Sequence, residues 1–120
     1  MHIEGTKTTP SINTRDGVFE IKGRSIPEDA FEFYSPLLRE VQAYIINPQK
    51  KTEIHFHLEY INSGSKKYIT NFLSKMNDFY KEGNEVVIYW HFDYEDESMQ
   101  ELGNDIRSMI EIPFHIIEVK

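Results

Sequence analysis

The segment Glu53–Tyr60 constrains the fold more than any other part of the chain, because apolar and polar residues alternate along it without a break. The apolar set is Ile54, Phe56, Leu58 and Tyr60, and the polar set is Glu53, His55, His57 and Glu59. Successive side chains of a strand point to opposite faces, so one face of this strand is apolar and the other is polar. Helices on both faces would bury the polar set at a high cost. The alternation therefore predicts a sheet with its helices mainly on one face.

Turn residues separate this strand from several others. Asp16-Gly17 predicts a tight turn, so Thr9–Asn13 and Val18–Lys22 are expected to form a hairpin. Glu85–Phe92 has the pattern of a more central strand, and Phe114–Val119 that of the last strand. The order is two or three N-terminal strands followed by three helix–strand pairs. Right-handed crossovers would join these elements into an α/β fold with a mixed sheet of four to five strands.

Three helices are predicted between the strands from capping residues and apolar periodicity. Pro27-Glu28-Asp29 opens the first helical region, within which Ser35-Pro36 fits an N-cap followed by proline at the first helical position. The second helix follows the turn Asn62–Ser65, and Ser98–Glu101 matches a capping box for the third. Of the aromatic residues Phe31, Phe33 and Tyr34, most should belong to the core and one ring should project.

Composition and charge exclude several classes of function. A chain of 120 residues without cysteine fits one domain over residues 1–120 and excludes disulfides, thiolate metal sites and thiol nucleophiles. The net charge of −7 disfavours nucleic acid and anionic membranes as partners. No apolar run approaches the roughly 20 residues that cross a bilayer, and the N-terminus does not resemble a signal peptide. We therefore expect a cytoplasmic protein with no direct membrane insertion.

Ser63 is the residue whose chemistry is most suggestive, because a hydroxyl is predicted where a helix begins. Exposed backbone N–H groups and the helix dipole stabilise a phosphate at such a position. The added charge of about −1.5 to −2 would disturb any partner that covers the turn, and Lys66 and Lys67 would soften it locally. The simpler interpretation is that Asn62 or Ser63 only caps the helix.

Five segments, in order along essentially the whole chain, carry a family resemblance. They are Ile3–Thr6 with Thr9-Pro10, Gly23–Ala30, Leu58–Ser63, Trp90–Asp93 and Ile112–Phe114. Together they resemble the SiaC-type bacterial regulatory phosphoproteins, a family with a STAS-like fold. The segment Tyr60–Ser65 also resembles the phospho-acceptor element of STAS-type (anti-anti-sigma-like) proteins, in which an acidic or amide residue precedes the modified hydroxyl.

The resemblance to SiaC-type proteins implies a regulatory adaptor and not an enzyme. Its unmodified form would bind and activate a GGDEF diguanylate cyclase, which raises cyclic-di-GMP and promotes surface growth. A cognate kinase and phosphatase would control it, and no cofactor is implied. The acceptor hydroxyl of the family aligns with Ser63, with Ser65 as the fallback. The residues expected to contact the partner are Asn62, Ser63, Gly64, Ser65, Lys66 and Lys67.

Two other functions remain open from the sequence. An anti-anti-sigma adaptor would use the same switch to capture a serine kinase. A metal-dependent enzyme would use the face that carries His55 and His57, because imidazole and carboxylate groups suit divalent metals. Residues Asp93–Glu97 are expected to form a solvated acidic loop that favours the start of the following helix. No catalytic motif is present, and a triad of Ser63, a histidine and Asp93 would require proof in space.

Overall fold

A computed structural model describes residues 1–120, which form one mixed sheet and three helices. The elements in chain order are β1 (His2–Ile3), β2 (Ser11–Arg15), β3 (Val18–Ser25), α1 (Ala30–Tyr44), β4 (Lys51–Ile61), α2 (Ser63–Lys81), β5 (Glu85–Asp93), α3 (Glu97–Met109) and β6 (Phe114–Val119). The predicted order of N-terminal strands followed by three helix–strand pairs is confirmed, and of the two or three N-terminal strands expected there are three. None of the helices is both long and apolar enough to cross a membrane.

The six strands lie side by side in the order in which they occur along the chain. β1 pairs with β2, and β2 with β3, in antiparallel orientation. The strands from β3 to β6 are parallel to one another. The prediction of four to five strands missed β1. Its two residues are too few to show a period, and only its pairing with Ile12 and Asn13 defines it as a strand.

The strand order explains why the helices lie on one face of the sheet. Each of the three crossovers moves one strand further in the same direction, and right-handed crossovers of that kind place every helix on the same side. The apolar alternate positions of β4 are accordingly buried under the helices, with Ile54, Phe56 and Leu58 at most 1% exposed. They belong to a single core of 22 buried residues that also contains side chains from all three helices. The predicted placement of the helices is confirmed.

The predicted caps of two helices are wrong, although both helices exist and the predicted opening of the first helical region at Pro27–Asp29 is confirmed. Asp29 caps α1 and accepts a hydrogen bond from the Glu32 N–H at 3.0 Å, so Ser35 and Pro36 lie inside the helix. Asp96 caps α3 through a bond from the Met99 N–H at 3.1 Å, so Ser98 lies in the first turn. In both cases an aspartate that precedes the predicted cap residue caps the helix instead.

Tyr60 is also placed wrongly by the alternation, because β4 contains a bulge. Gly23 pairs with Leu58 and Arg24 pairs with Tyr60, which leaves Glu59 as an extra residue on β4. An extra residue reverses the alternation beyond it. Tyr60 is consequently 57% exposed instead of facing the core.

Candidate functional site

The start of α2 lies at the carboxyl end of β4 and is fixed by Asn62. The Asn62 backbone is extended, and its side-chain oxygen accepts a hydrogen bond from the Ser65 N–H at 2.9 Å. Its side-chain amide donates to the Pro27 carbonyl at 3.3 Å, and its backbone N–H donates to the Ser25 carbonyl at 2.9 Å. Asn62 therefore caps α2 and ties it to the end of β3.

Ser63 is the first residue of α2 and is exposed to solvent. The first N–H groups of a helix have no partner within the helix, and the dipole gives this end a partial positive charge. Gly64, the next residue, is also exposed, and a Cβ placed on it would lie 3.4 Å from the Ala30 Cβ. The start of α2 therefore packs against the start of α1, and Ser63 is left exposed to solvent.

Ser65 differs sharply from Ser63, because it is fully buried. The Ser25 hydroxyl donates to Ser65 Oγ at 2.8 Å and lies 2.5 Å from the Tyr34 hydroxyl. Burial raises the pKa of Tyr34 to about 12, so its phenol stays neutral and available for this cluster. The three hydroxyls join β3, α1 and α2. The structure gives no support to Ser65 as a fallback acceptor, since a kinase could not reach it without opening this cluster.

Lys66 and Lys67 are the cations closest along the chain to Ser63. Both are exposed, and neither forms an ion pair with a carboxylate. The Lys67 ammonium lies 5.7 Å from the centre of the Tyr68 ring. Because residues three and four apart share a helix face, both lysines are within reach of a phosphate on Ser63.

A groove of about 820 Å³ lies beside the Ser63 turn. Its walls come from the ends of β3, β4 and β5 and from the first turns of α2 and α3. Lys66 lines it on one side, and on another the Arg24 guanidinium stacks over the Tyr60 ring at 4.7 Å from the ring centre. The carboxyl ends of parallel strands are the usual place for binding sites in open α/β sheets.

Three large aromatic side chains are exposed around this edge of the sheet, and sequence reasoning assigned none of them to the site. Phe31, Tyr60 and Tyr94 are 65%, 57% and 61% exposed. The expectation that one ring near Phe31 would project is confirmed, since Tyr34 is buried and Phe31 is not. Tyr60 is exposed because of the bulge in β4, and no residue type in the sequence indicates that bulge. Tyr94 projects from the acidic turn, where Glu95 has a positive φ of 66°.

The uncovered face of the sheet carries the histidines. His55 is 3.2 Å from Glu53, and His57 is 2.8 Å from Asp93. Burial lowers the pKa of His91, and nearby cationic groups lower it further; these groups are His55, His57 and Lys22. No group of three or more histidine or carboxylate side chains is arranged to hold a metal ion.

The triad of Ser63, a histidine and Asp93 is likewise not formed. His57 and Asp93 are paired at 2.8 Å, but the Ser63 hydroxyl forms no hydrogen bond to a histidine. Without a base in contact with it, Ser63 has no activated nucleophile character.

Comparison with known proteins gives one consistent result. The family model described as "SiaC family regulatory phosphoprotein" matches residues 3–119. An uncharacterised protein from Pseudomonas aeruginosa (strain UCBPP-PA14) is 29% identical over 118 residues, which are 97% of this chain and 94% of that protein.

Solved structures agree with the family model. A chain in the crystal structure of the diguanylate cyclase SiaD in complex with its activator SiaC, from Pseudomonas aeruginosa, matches with a TM-score of 0.94 and 28% identity over 99% of both chains. SiaC of Pseudomonas aeruginosa matches with a TM-score of 0.93 and 27% identity over 99% of this chain and 98% of that one. Apo-SiaC from the same organism matches with a TM-score of 0.88 and 26% identity over 98% and 97%.

Proposed function

This chain belongs to the SiaC family of regulatory phosphoproteins, and from that premise we propose that it is an adaptor switched by phosphorylation at Ser63. The unphosphorylated form binds a GGDEF diguanylate cyclase and activates it, as SiaC is described as the activator of SiaD. Cyclic-di-GMP production, and with it surface growth, then follows the phosphorylation state of one side chain.

The observation that carries this proposal is the contrast between two hydroxyls at the start of α2. Ser63 is exposed at the helix entrance, whereas Ser65 is buried and hydrogen-bonded. A kinase that transfers the γ-phosphoryl group of ATP to Ser63 Oγ releases ADP and leaves a phosphate where the free N–H groups and the helix dipole stabilise it. A phosphatase reverses the step by hydrolysis. The residues in the contact surface are those of the turn and first helical turn, from Asn62 to Lys67.

Two substitutions test the switch with the full chain. Ser63→Ala should bind and activate the cyclase of the host organism constitutively, because it cannot be phosphorylated. Ser63→Asp should bind more weakly, because a carboxylate places a negative charge in the contact surface. Ser74→Asp is the matched control, since it adds the same charge at an exposed position further along α2. Equal affinity of Ser63→Ala and Ser63→Asp for the cyclase would refute the proposed phosphorylation switch.

The identity of the partner needs a separate measurement. Affinity purification of the unphosphorylated wild-type chain from its native cells, followed by mass spectrometry, should recover a GGDEF protein, and phosphopeptide mapping should find the phosphate on Ser63. Recovery of a serine kinase of the anti-sigma type without any GGDEF protein would instead favour the anti-anti-sigma adaptor.

A further inference from the structure

We propose that the uncovered face of the sheet binds the same face of a second copy of this chain, and that protonation of its histidines separates the two copies. The helices lie on the other face, so the start of α2 stays outside this contact. Such self-association goes beyond the proposed function and needs neither the cyclase nor the phosphate.

All five histidines of the chain lie on the uncovered face. Residues directly opposite each other on neighbouring strands share a face of the sheet. One row of such pairs crosses all six strands through His2, Asn13, Glu20, His55, Tyr89 and His115. The Tyr89 ring stacks on His55 at 4.8 Å and 18°, and on His115 at 5.4 Å and 20°. The result is a flat row of rings that no helix covers.

The paired strand residues on this face carry no net charge while the histidines are neutral. Four of them are basic and four are acidic: Arg15, Lys22, Arg24 and Lys51, and Glu20, Glu53, Glu85 and Asp93. The net charge of −7 therefore belongs to the rest of the molecule. Two copies that met through the rest of the surface would on average bring negative charge against negative charge, which opposes association. The uncovered face avoids that repulsion.

The same charges divide the face into two complementary halves. β2 and β3 form a basic half, with three basic side chains and one acidic, and β4 and β5 form an acidic half, with three acidic side chains and one basic. β3 and β4 are the two central strands. A two-fold axis between them, parallel to the strands, places β3 of one copy over β4 of the other, and β2 over β5. Each basic half then faces an acidic half, and the dimer is closed and isologous.

The histidines make this complementarity depend on pH, because they lie mostly among the carboxylates of the acidic half. His55 lies 3.2 Å from Glu53, and His57 lies 2.8 Å from Asp93. Protonation of these two rings cancels the charges that the basic half of the second copy would face. An unperturbed histidine titrates near pH 6.5, so this loss should occur between about pH 7.5 and 5.5.

His91 adds to the repulsion at the low end of this range. Its ring centre lies 6.0 Å from that of His55 and 6.1 Å from that of His57. Burial lowers the pKa of His91, and the charges of His55, His57 and Lys22 lower it further. When all five histidines are protonated, each face gains five positive charges, and two such faces repel each other.

Sedimentation equilibrium of the full-length chain tests the contact without any partner. At low salt the wild type should be a dimer of 14.2 kDa chains at about pH 7.5 and a monomer at about pH 5.5. The isoelectric point of about 5.2 makes this a sharp test, because association driven only by loss of net charge would instead increase at the lower pH.

Charge reversals locate the contact on the uncovered face. Lys22→Glu and Glu53→Lys should each weaken the dimer by about tenfold or more at about pH 7.5, because each places like charges in facing halves. The double variant restores one basic and one acidic position across the contact and should recover most of the loss. Lys75→Glu and Glu82→Lys, at exposed positions in α2 and directly after it, are the matched controls and should change the dimer affinity by less than about twofold.

The combined variant His55→Gln, His57→Gln and His91→Gln tests the role of the histidines, and it should remain a dimer at about pH 5.5. A wild-type chain that is monomeric at about pH 7.5 and about 100 μM would overturn the proposed contact, since a dimer with a micromolar Kd is populated there. A dimer that neither charge reversal weakens would show that another surface holds the copies together, and it would overturn the contact equally. A wild-type dimer that persists at about pH 5.5 would overturn the role of the histidines. Circular dichroism of each variant confirms that it is folded.

Discussion

Helix propensity and core packing predict opposite effects of the Gly103→Ala substitution on the free energy of unfolding. Gly103 lies in the interior of α3, where alanine is favoured over glycine by about 1 kcal/mol. A Cβ on Gly103 would, however, lie 2.5 Å from Trp90 Cδ1 and 2.7 Å from Trp90 Nε1. Trp90 is fully buried and donates its indole N–H to the Met99 carbonyl at 3.0 Å, so the ring cannot move aside without losing that bond.

The structure therefore predicts that packing outweighs propensity. Forcing a methyl group into a filled core costs about 1–3 kcal/mol. An indole N–H that is displaced from its acceptor and stays buried costs a further ~1–3 kcal/mol. After the gain in helix propensity is subtracted, the free energy of unfolding should fall by about 1–5 kcal/mol. This is a large fraction of the ~5–15 kcal/mol that stabilises a typical domain.

Urea unfolding followed by tryptophan fluorescence measures this loss directly, because Trp90 is the only tryptophan in the chain. The emission of the folded variant should also change, since the substitution acts on the reporting ring itself. Gly64→Ala is the control, because its nearest contact, at 3.4 Å from Ala30 Cβ, is an ordinary van der Waals distance. A Gly103→Ala variant as stable as the wild type would refute the packing argument and show that the Trp90 site can relax.

Three further predictions concern the site and the uncovered face. Ser65→Ala should lower the free energy of unfolding in urea by about 1–3 kcal/mol, because it removes a buried hydrogen-bond partner, while Ser63→Ala should change it by less than ~0.5 kcal/mol; equal effects would contradict the assigned burial. Asn62→Ala should cost about 0.5–2 kcal/mol through loss of the α2 cap, and amide exchange in the first turn of α2 should speed up. The pKa of His91 is lowered in the folded state, so the folded protein binds that proton less readily than the unfolded chain, and stability should fall as pH drops through 6.5. His91→Gln should flatten this part of the pH–stability curve, and an unchanged slope would show that another group is responsible.

The elements of this fold follow from local patterns, and so do their order and their layering. Alternation in β4 predicted an uncovered polar face, and the crossovers that join β3 to β6 explain why that face stays free. The local patterns did not predict the bulge in β4 or the two helix caps, because each of these depends on which individual residues pair or cap. The bulge at Glu59 depends on how β3 and β4 pair, which no property of either strand alone reveals. Asp29 and Asp96 displaced the predicted caps because a helix begins at the first residue that can satisfy its N–H groups.

The candidate site shows the same division between local and long-range information. A hydroxyl after Asn62 at a helix start was predicted from neighbours in sequence, and the cap is confirmed. The contrast between Ser63 and Ser65 was not predicted, because two serines only two residues apart look alike in sequence. Their difference depends on Ser25, which is 40 positions away from Ser65 along the chain.

The topology of the sheet also gives the proposed acceptor Ser63 a central position along one edge. The four parallel strands all end at the same edge, and each crossover helix begins shortly after its preceding strand ends there. The starts of α1, α2 and α3 therefore lie along one edge. Three exposed aromatic rings lie at or just beyond the carboxyl ends of neighbouring strands: Tyr60 near the end of β4, Tyr94 directly after β5 and Phe31 at the start of α1, after β3. Ser63 belongs to the middle helix of the three. A charge placed at Ser63 therefore lies between the starts of α1 and α3. A partner that covers this edge cannot avoid that charge, whereas a modification at either end of the row would leave part of the edge unaffected.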